Sequence, residues 1–199
     1  MDKYIIHVVN APSVEPVTLT EVKQHLRVTE VDLDSAITSY IKSAREYIES
    51  YLDRSLVQQT IRLSLPYFHD EIILPRGMVQ SIVSAGYYNS SNTYISITLA
   101  DYANLITSNI SANYLQKKQY VSWPLPISRI DAVQIYYVAG YPPTTTSDPS
   151  YTANIPEEIK TAIKFLVQAD FDDLMADDRQ AVVRHVQSRL AMLRLNWLC

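Results

Sequence analysis

The hydrophobic period of this chain changes twice along its length. Apolar residues recur every three or four positions at both ends and every second position in between. Helices and strands impose those two periods by geometry, so the pattern predicts helices first, a sheet in the middle and helices last. At the start, Thr18 is followed three places later by Glu21, the spacing of a capping box, and Leu19, Val22 and Leu26 then share a face. Asp32 or Asp34 is placed to cap a second helix. Its stripe is Ile37, Tyr40, Ile41, Ala44, Tyr47, Ile48, Tyr51 and Leu52, while Lys42, Arg45, Glu46 and Glu49 read as a solvated face.

Period two begins at Ile61, Leu63 and Leu65, which alternate with Arg62 and Ser64. Further strands are predicted at Glu71–Leu74, Val79–Tyr88, 94–99, 102–106, 113–116 and 132–139, with turn residues such as Pro75-Arg76-Gly77 and Asn89-Ser90-Ser91-Asn92 between several of them. Residues 141–155 carry Pro, Ser and Thr with almost no aliphatic side chain, which reads as a linker loop. Helical period returns after Pro156, with Glu157 and Glu158 favourable at a helix start and Ile159, Ile163, Leu166 and Val167 as the stripe. A final helix is read around 180–197, carrying Val182, Val183, Val186, Leu190, Leu193 and Trp197. Neither helical part has enough faces to close a core alone. The predicted fold is therefore α+β: a helical bundle from N- and C-terminal helices with an inserted small antiparallel β-sheet. Its parts are residues 1–56, the β-rich 57–140, the linker 141–155 and the C-terminal helices 156–199.

Composition narrows the function classes. A net charge of −4 argues against a protein built to grip nucleic acid. Cys199 is the only cysteine, so no internal disulfide forms. The opening apolar run is short and broken by His7, unlike a signal or membrane segment, and a cytosolic product that joins a larger particle is expected. Fifteen Tyr, with apolar bodies and polar tips, suit half-buried sheets and protein interfaces. His7, His25, His69 and His185 are scattered without metal-ligand spacing, and P-loop, GxGxxG and GxSxG motifs are absent. Catalytic, cofactor and metal residues are accordingly expected to be none. Asp170, Asp172, Asp173, Asp177 and Asp178 are the one cluster that could serve a metal-dependent hydrolase, but Asp near helix ends are more often solvated or capping. A nucleic-acid-binding module of a packaging or regulatory complex is the alternative, resting on Lys117 and Lys118 among Tyr114, Tyr120 and Trp123. Arg179, Arg184, Arg189 and Arg194 recur every five residues and so encircle a helix instead of forming one row.

The order of motifs resembles the head–tail connector (adaptor) family of tailed bacteriophages. The resemblance starts at PVTLTEVKQHLRV and continues through Ala44-Arg45, Ile48-Glu49, Tyr51, Arg54-Ser55-Leu56 and Gln59-Thr60. It goes on through Leu74-Pro75-Arg76, Val79-Gln80-Ser81-Ile82, Asp101-Tyr102, Trp123-Pro124, VQIYYVAGYP and IPEEIKTAIKFLVQADFDD, spanning about residues 16–195. Asp53 stands where the family carries Gly, and Met78 where it carries Pro.

The resemblance implies a non-enzymatic virion protein of the neck. Members form a homo-oligomeric ring, commonly of twelve, beneath the portal protein; the ring extends the DNA channel and offers a platform to a stopper or tail-completion protein. On that footing Arg189, Leu190, Leu193, Arg194, Leu195, Trp197 and Leu198 are expected to dock onto the portal, since so apolar a segment suits an interface. Some of Asp170, Asp172, Asp173, Asp177 and Asp178 are expected to face the channel, where carboxylates keep passing double-stranded DNA from sticking. No cofactor and no membrane partner are expected.

Overall fold

A computed structural model describes residues 4–107, 113–142 and 154–194. Strand β1 (Ile5–Asn10) comes first, then helices α1 (Leu19–Leu26) and α2 (Asp34–Leu52). Strands β2 (Gln59–Leu65), β3 (Glu71–Leu74), β4 (Val79–Tyr88) and β5 (Tyr94–Ile97) follow. A single helical turn α3 (Leu99–Tyr102) leads into β6 (Ala103–Ile106), β7 (Asn113–Lys117) and β8 (Val133–Ala139). The chain ends in α4 (Glu157–Phe171), α5 (Ala176–Leu190) and a 3-10 turn (Ala191–Leu193). These elements fall into two compact units.

The helical unit takes in Ser13–Val57 and the described residues from Tyr141 to Arg194. Thr18 caps α1 as its spacing predicts: its hydroxyl accepts the Glu21 N–H, and the Glu21 carboxylate accepts the Thr18 N–H at 2.6 Å. That bond to the Thr18 backbone, against partial burial, holds the Glu21 carboxyl below the usual range. The start of α2 differs from expectation. Its N-cap is Leu33, which makes no side-chain cap; Asp34 lies inside the first turn and pairs with Lys23. α2 packs on α4, α1 lies against both, and α5 packs on α4. Ile37, Ile41, Ile48, Leu52, Ile159, Ile163, Val167, Val186 and Leu190 are buried at the contacts, each worth about 1.5–3 kcal/mol when removed from water. α2 ends on Asp53 in the left-handed region, φ 52°, its N–H bonded to the Glu49 carbonyl. Asp tolerates this conformation better than most residues, so it can stand in the family's glycine position. Tyr141 and Ile155 are buried, and the Asn154 side chain donates to the Pro142 carbonyl at 2.7 Å, tying together the two ends of the predicted linker. Residues 143–153 lie outside the described part.

The β unit takes in residues 4–12 and Gln58–Gly140. It holds two antiparallel sheets where the sequence suggested one: β1-β2-β8-β4-β5 and β3-β7-β6. Register follows the alternation. Ile61 faces Tyr137, Leu63 faces Ile135 and Leu65 faces Val133, all buried. These side chains share one core with Ile72, Leu74 and Leu115 of the smaller sheet. Between β3 and β4, Arg76, Gly77 and Met78 all have positive φ, at 66°, 44° and 50°. Proline cannot adopt that φ, which accounts for Met78 in the family's proline position. The turn is held by Tyr137, whose hydroxyl donates to the Pro75 carbonyl at 2.8 Å, and by the Gly140 N–H on the Met78 carbonyl. Two elements depart from the sequence reading: residues 5–10 form β1, and Tyr102 closes α3 instead of opening a strand.

Candidate functional surfaces

The C-terminal segment divides into an anchored and an exposed part. α5 begins at Ala176, four residues earlier than expected, and its helical part ends at Leu190. Leu190 and Val186 are fully buried in their own unit. Tyr51 donates from its hydroxyl to the Gln187 carbonyl at 2.9 Å, and the Gln187 amide donates to the Tyr47 hydroxyl at 2.8 Å. Leu190 therefore fastens α5 to its own bundle, which corrects its expected place on a docking surface. Leu193 is half-buried; Arg189 and Arg194 are exposed, the latter with its guanidinium 5.5 Å from the centroid of the Tyr51 ring. Leu195, Trp197 and Leu198 lie outside the described residues. Met192, which the periodicity did not single out, is 96% exposed.

The five aspartates gather where α4 turns into α5. Asp172 and Asp173 lie just beyond α4, Asp173 in the left-handed region at φ 47°. Asp177 and Asp178 occupy the first turn of α5, where the helix dipole favours carboxylates. All four are exposed. Asp170 differs: one of its oxygens is gripped by the Arg179 guanidinium at 2.7 and 2.9 Å, so it contributes no unpaired charge. Among the described residues, no group of three or more His, Cys, Asp or Glu could hold a metal ion.

The basic–aromatic mixture is spoken for. Lys117 pairs with Asp70, and Lys118 donates to the Ala100 carbonyl. Trp123 is stacked between Phe68 and Tyr102, with centroids 4.5 and 5.5 Å away, and its indole N–H donates to the His69 carbonyl at 2.9 Å. A base-stacking platform needs a free ring face and free cations; of these side chains only Tyr120 stands clear of the protein. Among the described residues no helix is long and apolar enough to cross a membrane.

Arg45 and Glu49, expected on a solvated face, are buried. The Arg45 guanidinium bonds Glu49 at 2.8 Å and Glu15 at 2.7 Å, and Glu49 accepts the Leu56 N–H at 2.8 Å. Burial works against the Arg45 charge, but the bond to Glu15 and the charge of Glu49 prevail and raise its pKa above the ordinary arginine value. The cluster ties the segment before α1, the last turns of α2 and the exit at Leu56 into one joint. Arg54 bonds Tyr141 beside it, and burial, partly opposed by Arg54, raises the Tyr141 pKa. The motif Ala44-Arg45…Ile48-Glu49…Arg54-Ser55-Leu56 is thus a structural joint.

The chain is a two-unit α+β protein. The sequence profile of the family described as "Phage gp6-like head-tail connector protein" matches residues 16–189. The chain therefore belongs to the phage gp6-like head–tail connector family, whose members are structural proteins of the neck. Solved structures of similar fold come from gene transfer agent particles. A chain from the neck of an empty particle, computed with C6 symmetry, is 17% identical with a TM-score of 0.74. Another, from the virion of a native particle, has a TM-score of 0.73 at 17% identity. A third, from the neck of a native particle computed with C12 symmetry, has 0.70 at 17% identity. Each match covers 98% of this chain and 97% of the other. No curated protein sequence matches the chain.

Proposed function

We propose that the chain is the adaptor subunit of a phage-type neck. Copies assemble head-to-tail into a ring, of twelve subunits, below the portal protein; the ring prolongs the DNA channel and carries a stopper or tail-completion protein. The role is structural, without catalysis or cofactor. The observation that carries the reading is the family match over residues 16–189, with the whole-length likeness in fold to chains from necks computed with C6 and C12 symmetry in its support. Heterologous contacts of that kind close into rings when the rotation per subunit permits.

Portal docking is assigned to the exposed end of α5 and the residues beyond it: Arg189, Met192, Leu193 and Arg194, continuing into Leu195, Trp197 and Leu198. An apolar, Arg-flanked rim of this kind fits a protein partner. The channel is assigned to the α4–α5 turn, with Asp172, Asp173, Asp177 and Asp178 facing the DNA. Carboxylates repel phosphates and let the duplex slide, whereas lysines would retain it. The docking assignment is tested in infected cells that carry the phage with its gene for this chain deleted. Complementation with the full chain should restore joined heads and tails. Truncation after Leu190 should leave a folded protein that no longer enters the neck, and full incorporation of that truncation would overturn the docking role.

A further inference from the structure

The five-stranded sheet ends on two open edges. β1 is paired only with β2, and β5 only with β4, among the described residues. Each therefore presents a row of unpaired backbone N–H and C=O groups. Natural sheets blunt such edges with lysine, proline, bulges or a covering element. Neither IIHVVN in β1 nor YISI in β5 contains a charged residue or a proline. One bulge near Val8 and Asn10 is the only interruption of the β1–β2 register. The side chains are apolar as well as exposed: Ile5 42%, Val8 41% and Val9 43% in β1, with Tyr94 39% and Ile95 36% in β5. The β5 edge is also packed against its hairpin partner. Gly86 lets Tyr94 lie against β4, Tyr94 meets Tyr88 edge to face, and Arg129 sits 4.2 Å over Tyr88 while bonding Asn92 at the hairpin tip.

We infer that β1 of one copy pairs with β5 of the next, so that the five-stranded sheets run on from subunit to subunit. This rests on the ring reading above. An open ladder is satisfied by another backbone strand, and β5 is the matching charge-free, apolar edge that lies in the same sheet as β1, so pairing the two continues one sheet, whereas the β6 edge, ANLI, belongs to the smaller sheet. The direction is set by topology. Four successive antiparallel pairings separate β1 from β5, so the two run the same way within one sheet. The small rotation between neighbours in a many-membered ring leaves that direction almost unchanged, and the new pair is parallel. Self-pairing of β1 about a two-fold axis would instead be antiparallel and would close at two copies.

The test uses the full chain with Cys199→Ser as background and single cysteines at Val8 or Ser96. A short bis-maleimide joins whatever lies within its reach, and a tag on one variant separates mixed from like pairs by size. Mixing V8C with S96C should give the mixed dimer well above the level seen when V8C is mixed with Y120C, a fully exposed control. Each single variant alone should give no more than that control. Like pairs of V8C, or mixed dimers no more abundant than the control, would overturn the inference. Val8→Lys and Ile95→Lys, shown folded by circular dichroism, should each abolish ring growth; unchanged growth in either would also overturn it. Whether the unaltered chain lies in the neck of assembled particles is scored separately. A chain found there without β1–β5 cross-links keeps the adaptor reading and removes this one.

Discussion

Removing Arg45 tests the joint at the end of α2. The Arg45 side chain is 5% exposed and Glu49 7%, so Arg45→Leu leaves a carboxylate buried without its counter-charge. Breaking a buried pair from one side costs about 3–5 kcal/mol, against roughly 0–1 for an exposed pair. For a chain of this length about 2–4 °C of Tm is lost per kcal/mol, so the Tm falls by about 6–20 °C. Lys160→Met serves as the control, because the Glu157 carboxylate it leaves behind is 79% exposed and keeps its water, and it should cost less than about 1 kcal/mol. In the double variant Arg45→Leu/Glu49→Gln no buried charge remains, and the amide oxygen still accepts the Leu56 N–H. More than half of the lost stability should return. Urea unfolding followed by circular dichroism reads all three. An Arg45→Leu cost below about 1 kcal/mol, or a double variant no more stable than the single, would refute the argument that the pair acts as a buried unit.

Thr18→Ala removes the cap of α1 and should lower stability by about 1 kcal/mol in the same assay, with no change if the capping box is incidental. Gly86→Ala should be costly, because a Cβ there would meet the Ile95 carbonyl oxygen at 2.5 Å; adding Tyr94→Ala should rescue it only in part, since the backbone clash remains. Tyr141 is raised by burial, so its contribution to stability is fully present below its unfolded pKa of about 10 and is lost as pH rises through the higher folded value. Burial raises Tyr94 as well, so alkaline absorbance titration should show a late tyrosine component that Tyr141→Phe reduces without abolishing.

Much of this architecture was legible from period alone. β3 and β4 fall within the bounds their alternation predicts, and α1 begins on the capping box its sequence spells. What escaped did so for physical reasons. Arg45 and Glu49 flank the apolar stripe at a spacing of four, which suits an exposed pair equally well. Only the return of the chain through Glu15 and Leu56 buries them, and that is a tertiary event. The Arg and Glu of the family signature were the one available hint. β1 escaped because IIHVV is a short continuous apolar run, which periodicity cannot assign, and its pairing with β2 spans some fifty residues. Leu190 sat on the predicted stripe of the last helix, but a stripe does not say whether its own bundle or a partner covers it. The hydrogen bonds of Tyr47 and Tyr51 to Gln187 decide for the bundle.

The central claim is that copies of this chain form a ring in the neck. A single-particle reconstruction of the intact neck, calculated without imposed symmetry, tests it most directly. The account predicts a closed ring of a dozen copies, coaxial with the DNA channel and seated against the portal through the end of α5, with the α4–α5 carboxylates toward the lumen. A chain that is missing from the neck, or present there only as a two-fold dimer, would contradict it.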